Sequence, residues 1–119
     1  MADTIDDRAE DIARIAEQND AFRCKRPEGG EGKWVYTQAV HAEGPDFVLA
    51  CVAAVAAYDD FTEDIDPYGT HEMGTMEVMG KKVWWRIDLY DRAYEGGSPE
   101  PTSLVETRRV LTILFPSDY

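Results

Sequence analysis

Between Lys33 and Lys81 the chain carries no Lys or Arg, yet it sets down Glu43, Asp46, Asp59, Asp60, Glu63, Asp64, Asp66, Glu72 and Glu77. Carboxylates without internal counter-charges repel one another and oppose a compact state. Any fold this chain adopts must bring compensation from outside the stretch: a cation, a basic partner or solvent. The imbalance extends to the whole sequence, where 24 Asp and Glu face 12 Lys and Arg for a formal net charge of -12. Phosphate binding runs on Lys and Arg, so direct binding to nucleic acid or to an anionic membrane is disfavoured. Basic proteins and cations are the partners such a surface suits, although acidity also serves solubility alone.

A length of 119 residues suits a single domain, 1–119, and 44% hydrophobic residues suffice for a core. The first helix is expected from about Asp6 to Arg23, with Ile5, Ala9, Ile12, Ile15, Ala16, Asn19 and Phe22 at helical spacing. Thr4 is the candidate N-cap, and Asp6 and Asp7 fall in the first turn, where the helix dipole favours them. Pro27, Gly29, Gly30 and Gly32 make a loop before a strand over Lys33 to Val40. Pro45 opens a second helix that runs to about Tyr58. That helix is apolar all round, which predicts burial on more than one side. Asp59 and Asp60 then oppose the dipole at its C-terminal end, and locally unfavourable chemistry of this kind often marks function.

Phe61 to Thr70 reads as a loop. His71–Val78 and Val83–Tyr90 read as a hairpin around Met79-Gly80-Lys81-Lys82, with Gly80-Lys81 as its turn and Val78 opposite Val83. One face then holds Glu72, Gly74, Met76, Val78, Val83, Trp85, Ile87 and Leu89 and forms the core. The other holds His71, Met73, Thr75, Glu77, Trp84, Arg86, Asp88 and Tyr90. If the first helix covers this second face, it is core or boundary; if not, it is a ready partner surface. A long loop, Asp91 to Ser103, precedes a last strand over Thr107–Phe115, apolar on both faces and therefore central. The order α-β-α-β-β-β predicts the α+β class: an antiparallel or mixed four-stranded sheet packed by two helices.

Chemistry is sparse. Cys51 lies in an apolar run and reads as a core thiol, while Cys24 sits between Arg23 and Lys25. Asp64-x-Asp66 followed by Gly69 echoes the start of an EF-hand loop, but the next ligand would be Tyr68 and the twelfth position is Thr75. His71-Glu72 has no second His at zinc spacing, and His71 is expected to pair with Asp88 or Tyr90. There is no nucleophile motif, phosphate loop or dinucleotide glycine pattern. No metal, cofactor or catalytic residue is expected, and the chain reads as a binding protein rather than an enzyme; a carboxylate metal-dependent enzyme is a remote alternative. Met1 to Asp11 is not a signal peptide, and the apolar run Phe47–Tyr58 is far short of the roughly 20 residues that span a bilayer. A cytoplasmic setting is the default.

The candidate partner-binding residues are Asp59, Asp60, Glu63, Asp64 and Asp66 of the acidic loop, and Trp84, Arg86 and Tyr90 of the second hairpin face, types enriched at interface hot spots. Three segments, YDDFTEDIDPYG (Tyr58 to Gly69), VWWRIDLYDRAYEGGSPEP (Val83 to Pro101) and TRRVLTILFPSDY (Thr107 to Tyr119), together with Asn19-Asp20-x-Phe22-Arg23, resemble an uncharacterised family of small proteins, a domain of unknown function found largely on bacterial plasmids, phages and integrated elements. That family has no established activity, so no functional residue carries over. Its setting implies a small acidic protein that inhibits a nucleic-acid-handling host defence complex, of the anti-CRISPR or anti-restriction type, by occupying a basic surface. The alternative is an accessory or regulatory protein of the element itself.

Overall fold

The computed structural model describes residues 4–119, with side chains of the first helix described from Arg8 onward. The Thr4 cap, the side chains of Ile5, Asp6 and Asp7, and the beginning of the Met1–Asp11 segment lie outside what is described. The elements are α1 (Thr4–Arg23), β1 (Glu31–Tyr36), α2 (Gln38–His41), α3 (Pro45–Ala57), β2 (Met73–Val78), β3 (Lys81–Tyr90) and β4 (Arg108–Leu114). The four strands form one mixed sheet in the order β1-β4-β3-β2. β1 runs parallel to β4, and the other pairs are antiparallel. The class is α+β, and β4 is internal, as a strand apolar on both faces requires.

Both long helices pack on one face of this sheet. β3 and β4 present Val83, Trp85, Ile87, Leu111 and Ile113 to it, and α3 answers with Phe47, Cys51 and Val55, one residue per turn. Burial pushes the Cys51 thiol up to about 11. α3 is buried on more than one side, with Val48, Ala50, Val52 and Ala54 packed against the core beside that stripe, but not all round, since Leu49 is 67% exposed.

α1 docks differently. Its apolar stripe does little: Ala9 and Ile12 are exposed, and among the described residues only Ala16, Ala21 and Phe22 are buried apolar positions. Beside them Asn19 and Arg23 are buried as well. Asn19 Oδ1 accepts from Nε of Arg109, a β4 residue with 0% exposure, at 2.8 Å. Gln18 Oε1 and the Gly29 carbonyl accept from the two terminal nitrogens of the same guanidinium, at 3.1 and 3.5 Å. Desolvation lowers the Arg109 pKa to about 10, so it stays protonated at neutral pH with only neutral acceptors around it. Asn19 also donates to the Thr70 carbonyl at 2.9 Å, and Gln18 to the Thr102 carbonyl at 2.9 Å. The two amides thus tie α1 to the sheet and to both long loops.

Two local expectations are corrected. The first strand stops at Tyr36, because Thr37 turns the chain and caps α2, its side chain accepting from the Val40 N–H. The hairpin pairs Val78 with Lys81 and Met76 with Val83, so the turn is Met79-Gly80, not Gly80-Lys81. Both turn residues have positive φ, 49° and 80°, the type I′ geometry that wants Gly second. The register therefore shifts by two residues, and the strand side chains keep their expected faces; His71 and Glu72 lie before the strand, and Glu72, expected on the core face, is exposed beside Arg86 and Asp88.

Gly74 lies against the indole of Trp85, where an added Cβ would sit 2.3 Å from Nε1. Gly74→Ala should lower the stability measured by urea unfolding by about 1–3 kcal/mol, because the fully buried indole has nowhere to move. Asn19→Ala should cost about 2–4 kcal/mol in the same assay, since it strips a buried guanidinium of its shortest acceptor.

Candidate functional site

The acidic loop begins where α3 ends, and a cation for it comes from α1. Arg23 Nη1 donates to the carbonyls of Val55 at 2.6 Å and Tyr58 at 3.0 Å, capping the helix end that Asp59 and Asp60 would otherwise leave unfavourable. The guanidinium lies 5.1 Å from the ring centres of both Phe61 and Trp85. Its Nη2 pairs with Asp20 at 2.7 Å. Asp20 in turn meets His71 Nδ1 at 2.9 Å, and the imidazole stacks flat on Phe61 with centres 3.9 Å apart.

His71 adopts φ 55°, a conformation that costs a non-glycine residue of order 1 kcal/mol or more. Asp66 holds it there, both carboxylate oxygens accepting the His71 N–H at 3.1 and 3.2 Å. His71 therefore pairs with Asp20 and not with Asp88 or Tyr90, because the left-handed backbone turns its ring away from the hairpin face. Its ring nitrogens face Asp20 and Asp66 and bond to no hydroxyl or thiol among the described residues, so the cluster is a strut rather than a nucleophile–base arrangement.

This strut sorts the acidic loop. Asp59, Asp60, Glu63 and Asp64 are exposed. Asp66 is only 8% exposed and is committed to His71, so its expected role as a surface contact is corrected to an internal one. Among the described residues no group of three or more His, Cys, Asp or Glu is arranged to hold a metal ion.

The second hairpin face carries neither α1 nor α3, which both lie on the other side of the sheet; there Arg86 is exposed and Trp84 and Tyr90 are half-buried. Trp84 meets the Tyr119 ring edge-on at 5.7 Å, Arg86 pairs with Asp88 at 3.3 Å, and Tyr90 packs near Tyr94 at 6.4 Å. The two sets of candidates meet at one place. A groove of about 350 Å³ includes Asp64, Tyr68, Glu72, Arg86, Asp88 and Tyr119 in its walls. Trp84 lines the neighbouring groove, with Glu77 and Lys82, and Tyr90 lies at the far end of β3.

Sequence reasoning passed over Tyr68, Glu72, Asp88 and Tyr119 as site residues. A signal existed for the tyrosines, since both stand in the segments that carry the family resemblance. Tyr119 reaches the groove because Asp118 anchors the chain before it, its Oδ2 accepting from Thr37 Oγ1 at 2.7 Å and from the Phe115 N–H at 2.9 Å. Tyr58 completes the arrangement: its hydroxyl donates to the Asp60 carbonyl at 2.9 Å and accepts from the Thr75 N–H on edge strand β2 at 3.3 Å. The whole is an electronegative, partly aromatic surface on a rigid support, suited to binding cations and basic groups.

Against known families, one model, described as a protein of unknown function (DUF3768), matches residues 36–118. The match covers the acidic loop and the hairpin but not α1. No curated protein and no solved structure matches the chain.

Asp66→Ala should release the strained His71 backbone. We expect a loss of about 1–3 kcal/mol and faster amide hydrogen exchange across residues 61–71, with the β3–β4 ladder still protected.

Proposed function

We propose that this chain, which belongs to the DUF3768 family of proteins of unknown function, is an acidic binding protein that occupies a basic, nucleic-acid-handling surface of a partner protein. The observation that carries the reading is a run of four exposed carboxylates, Asp59, Asp60, Glu63 and Asp64, the last of which shares a groove with Arg86 on the sheet face that also bears the half-buried Trp84 and Tyr90. Such a surface offers a basic cleft both electrostatic attraction and apolar contact area. The attraction speeds encounter and is screened beyond about 8 Å at physiological salt. The described residues include no helix long and apolar enough to cross a membrane. The mobile-element setting implied by the resemblance makes a host defence complex, of the anti-CRISPR or anti-restriction class, the first target to test, in the cytoplasm. In this reading the chain binds and blocks, and does not turn over a substrate.

The test is capture of the tagged protein's partners at low salt from a bacterial lysate containing CRISPR and restriction complexes, followed by competition with nucleic acid on the purified partner. The expected result is a partner eluted by high salt whose nucleic acid the chain displaces. Reversing Asp60, Glu63 and Asp64 to Lys should weaken that displacement by about tenfold or more. Recovery of an element-encoded protein with no nucleic-acid site would instead favour an accessory role.

A further inference from the structure

We infer that the groove between the acidic loop and the hairpin is a subsite for one arginine side chain of the partner, an inference that rests on the acidic-surface reading above. Three carboxylates line the groove from three separate parts of the chain: Asp64 from the loop, Glu72 from the approach to β2, and Asp88 from β3. Two tyrosine rings flank them, Tyr68 at 73% and Tyr119 at 79% exposure. Large rings left this open on a folded surface, beside carboxylates, match what a guanidinium uses: a flat face to stack on and paired oxygens to accept its fork of N–H groups.

The groove already holds one guanidinium, its own. Arg86 Nε lies 3.3 Å from Asp88 Oδ2, and its central carbon lies 5.9 Å from the centre of the Tyr119 ring. That side chain demonstrates the chemistry without exhausting it. It engages Asp88 alone, whereas Asp64 has no ion-pair partner among the described residues. Glu72 takes only a hydroxyl bond from Thr70, at 3.1 Å. Two carboxylates and the Tyr68 ring therefore remain for a second cation.

Arginine fits better than lysine for a physical reason. The groove is open to water, so a compact ammonium keeps its hydration and gains little. A planar guanidinium is less strongly hydrated, and it stacks and binds a carboxylate at the same time. Tyr119 is fixed for this role by the Asp118 anchor and by the edge of Trp84. A partner arginine would accordingly extend the Arg86–Tyr119 arrangement rather than replace it.

The experiment is an NMR titration of the full chain with two blocked peptides, Gly-Arg-Gly and Gly-Lys-Gly, and with tetralysine as a probe of the acidic surface alone. Saturable shifts at Tyr68, Glu72 and Tyr119 with the arginine peptide, binding about fivefold tighter than the lysine peptide, are expected. Tyr119→Ala and Asp64→Asn should both abolish that preference; Tyr119→Ala, which removes no charge, should leave tetralysine binding nearly unchanged, whereas Asp64→Asn should weaken tetralysine as well. Both are exposed substitutions, and unchanged spectra elsewhere verify the fold. Equal binding of the two peptides, with shifts spread over Asp59 to Asp64, would overturn the subsite and leave the acidic-surface reading standing. No binding of any of the three at low salt would overturn both.

Discussion

Helix α1 is held in place by the hydrogen bonds of two buried guanidinium groups, one on the sheet and one its own, and the rest of the molecule is arranged around that fact. Arg109 reaches up from β4 into the amides of Asn19 and Gln18, and Arg23 reaches across from α1 to the end of α3. Neither contact is a cheap substitute for apolar packing. A buried cation must recover its lost hydration through close acceptors, and breaking one bond leaves the charge stranded. The residual cost is visible in Arg23 Nε, which has no hydrogen-bond partner among the described residues. In return these bonds are directional. They fix α1 in one position and rotation, and through Arg23, Asp20 and His71 they fix the acidic loop as well.

The cation-free stretch finds its compensation in this way. One internal cation, Arg23, serves the helix end from outside the stretch, and Lys81 pairs with Glu43 at 3.3 Å on the surface. The remaining exposed carboxylates face solvent. The matched family region contains the carboxylates and the open sheet face, while the residues that lock them, Asn19, Asp20 and Arg23, precede it. The acidic surface and its support thus come from different parts of the chain.

Much of the fold was legible in the sequence. Alternation in Val83, Trp85 and Ile87 marked the core face of the hairpin, and the double-sided apolar pattern of Val110 to Leu114 marked an internal strand. The register was not legible. A shift of two residues preserves every facing, so only the turn geometry at Met79-Gly80 decides it. The site was half legible. Composition marked the acidic loop, but nothing local distinguishes Asp66 from Asp64; burial of one depends on a left-handed His71 and on an α1 carboxylate some 50 positions away in the chain. The all-round apolar pattern of α3 did not show which side stays exposed, since it does not distinguish Leu49 from its buried neighbours.

The strand order has a kinetic consequence. β4 lies between β1 and β3, and its pairing with β1 joins Glu31 to Arg108 across most of the chain. The β2–β3 hairpin needs only a two-residue turn and closes early, whereas the β1–β4 pairing carries the largest loop-closure entropy in the sheet. Arg109 sits on that late-closing strand. Its guanidinium loses water only once β4 is seated and α1 comes down upon it, so desolvation and helix docking fall within one event. With β4 in place and α1 undocked the guanidinium stays hydrated, so its desolvation and the Asn19 and Gln18 hydrogen bonds that offset it arrive together in the docking step.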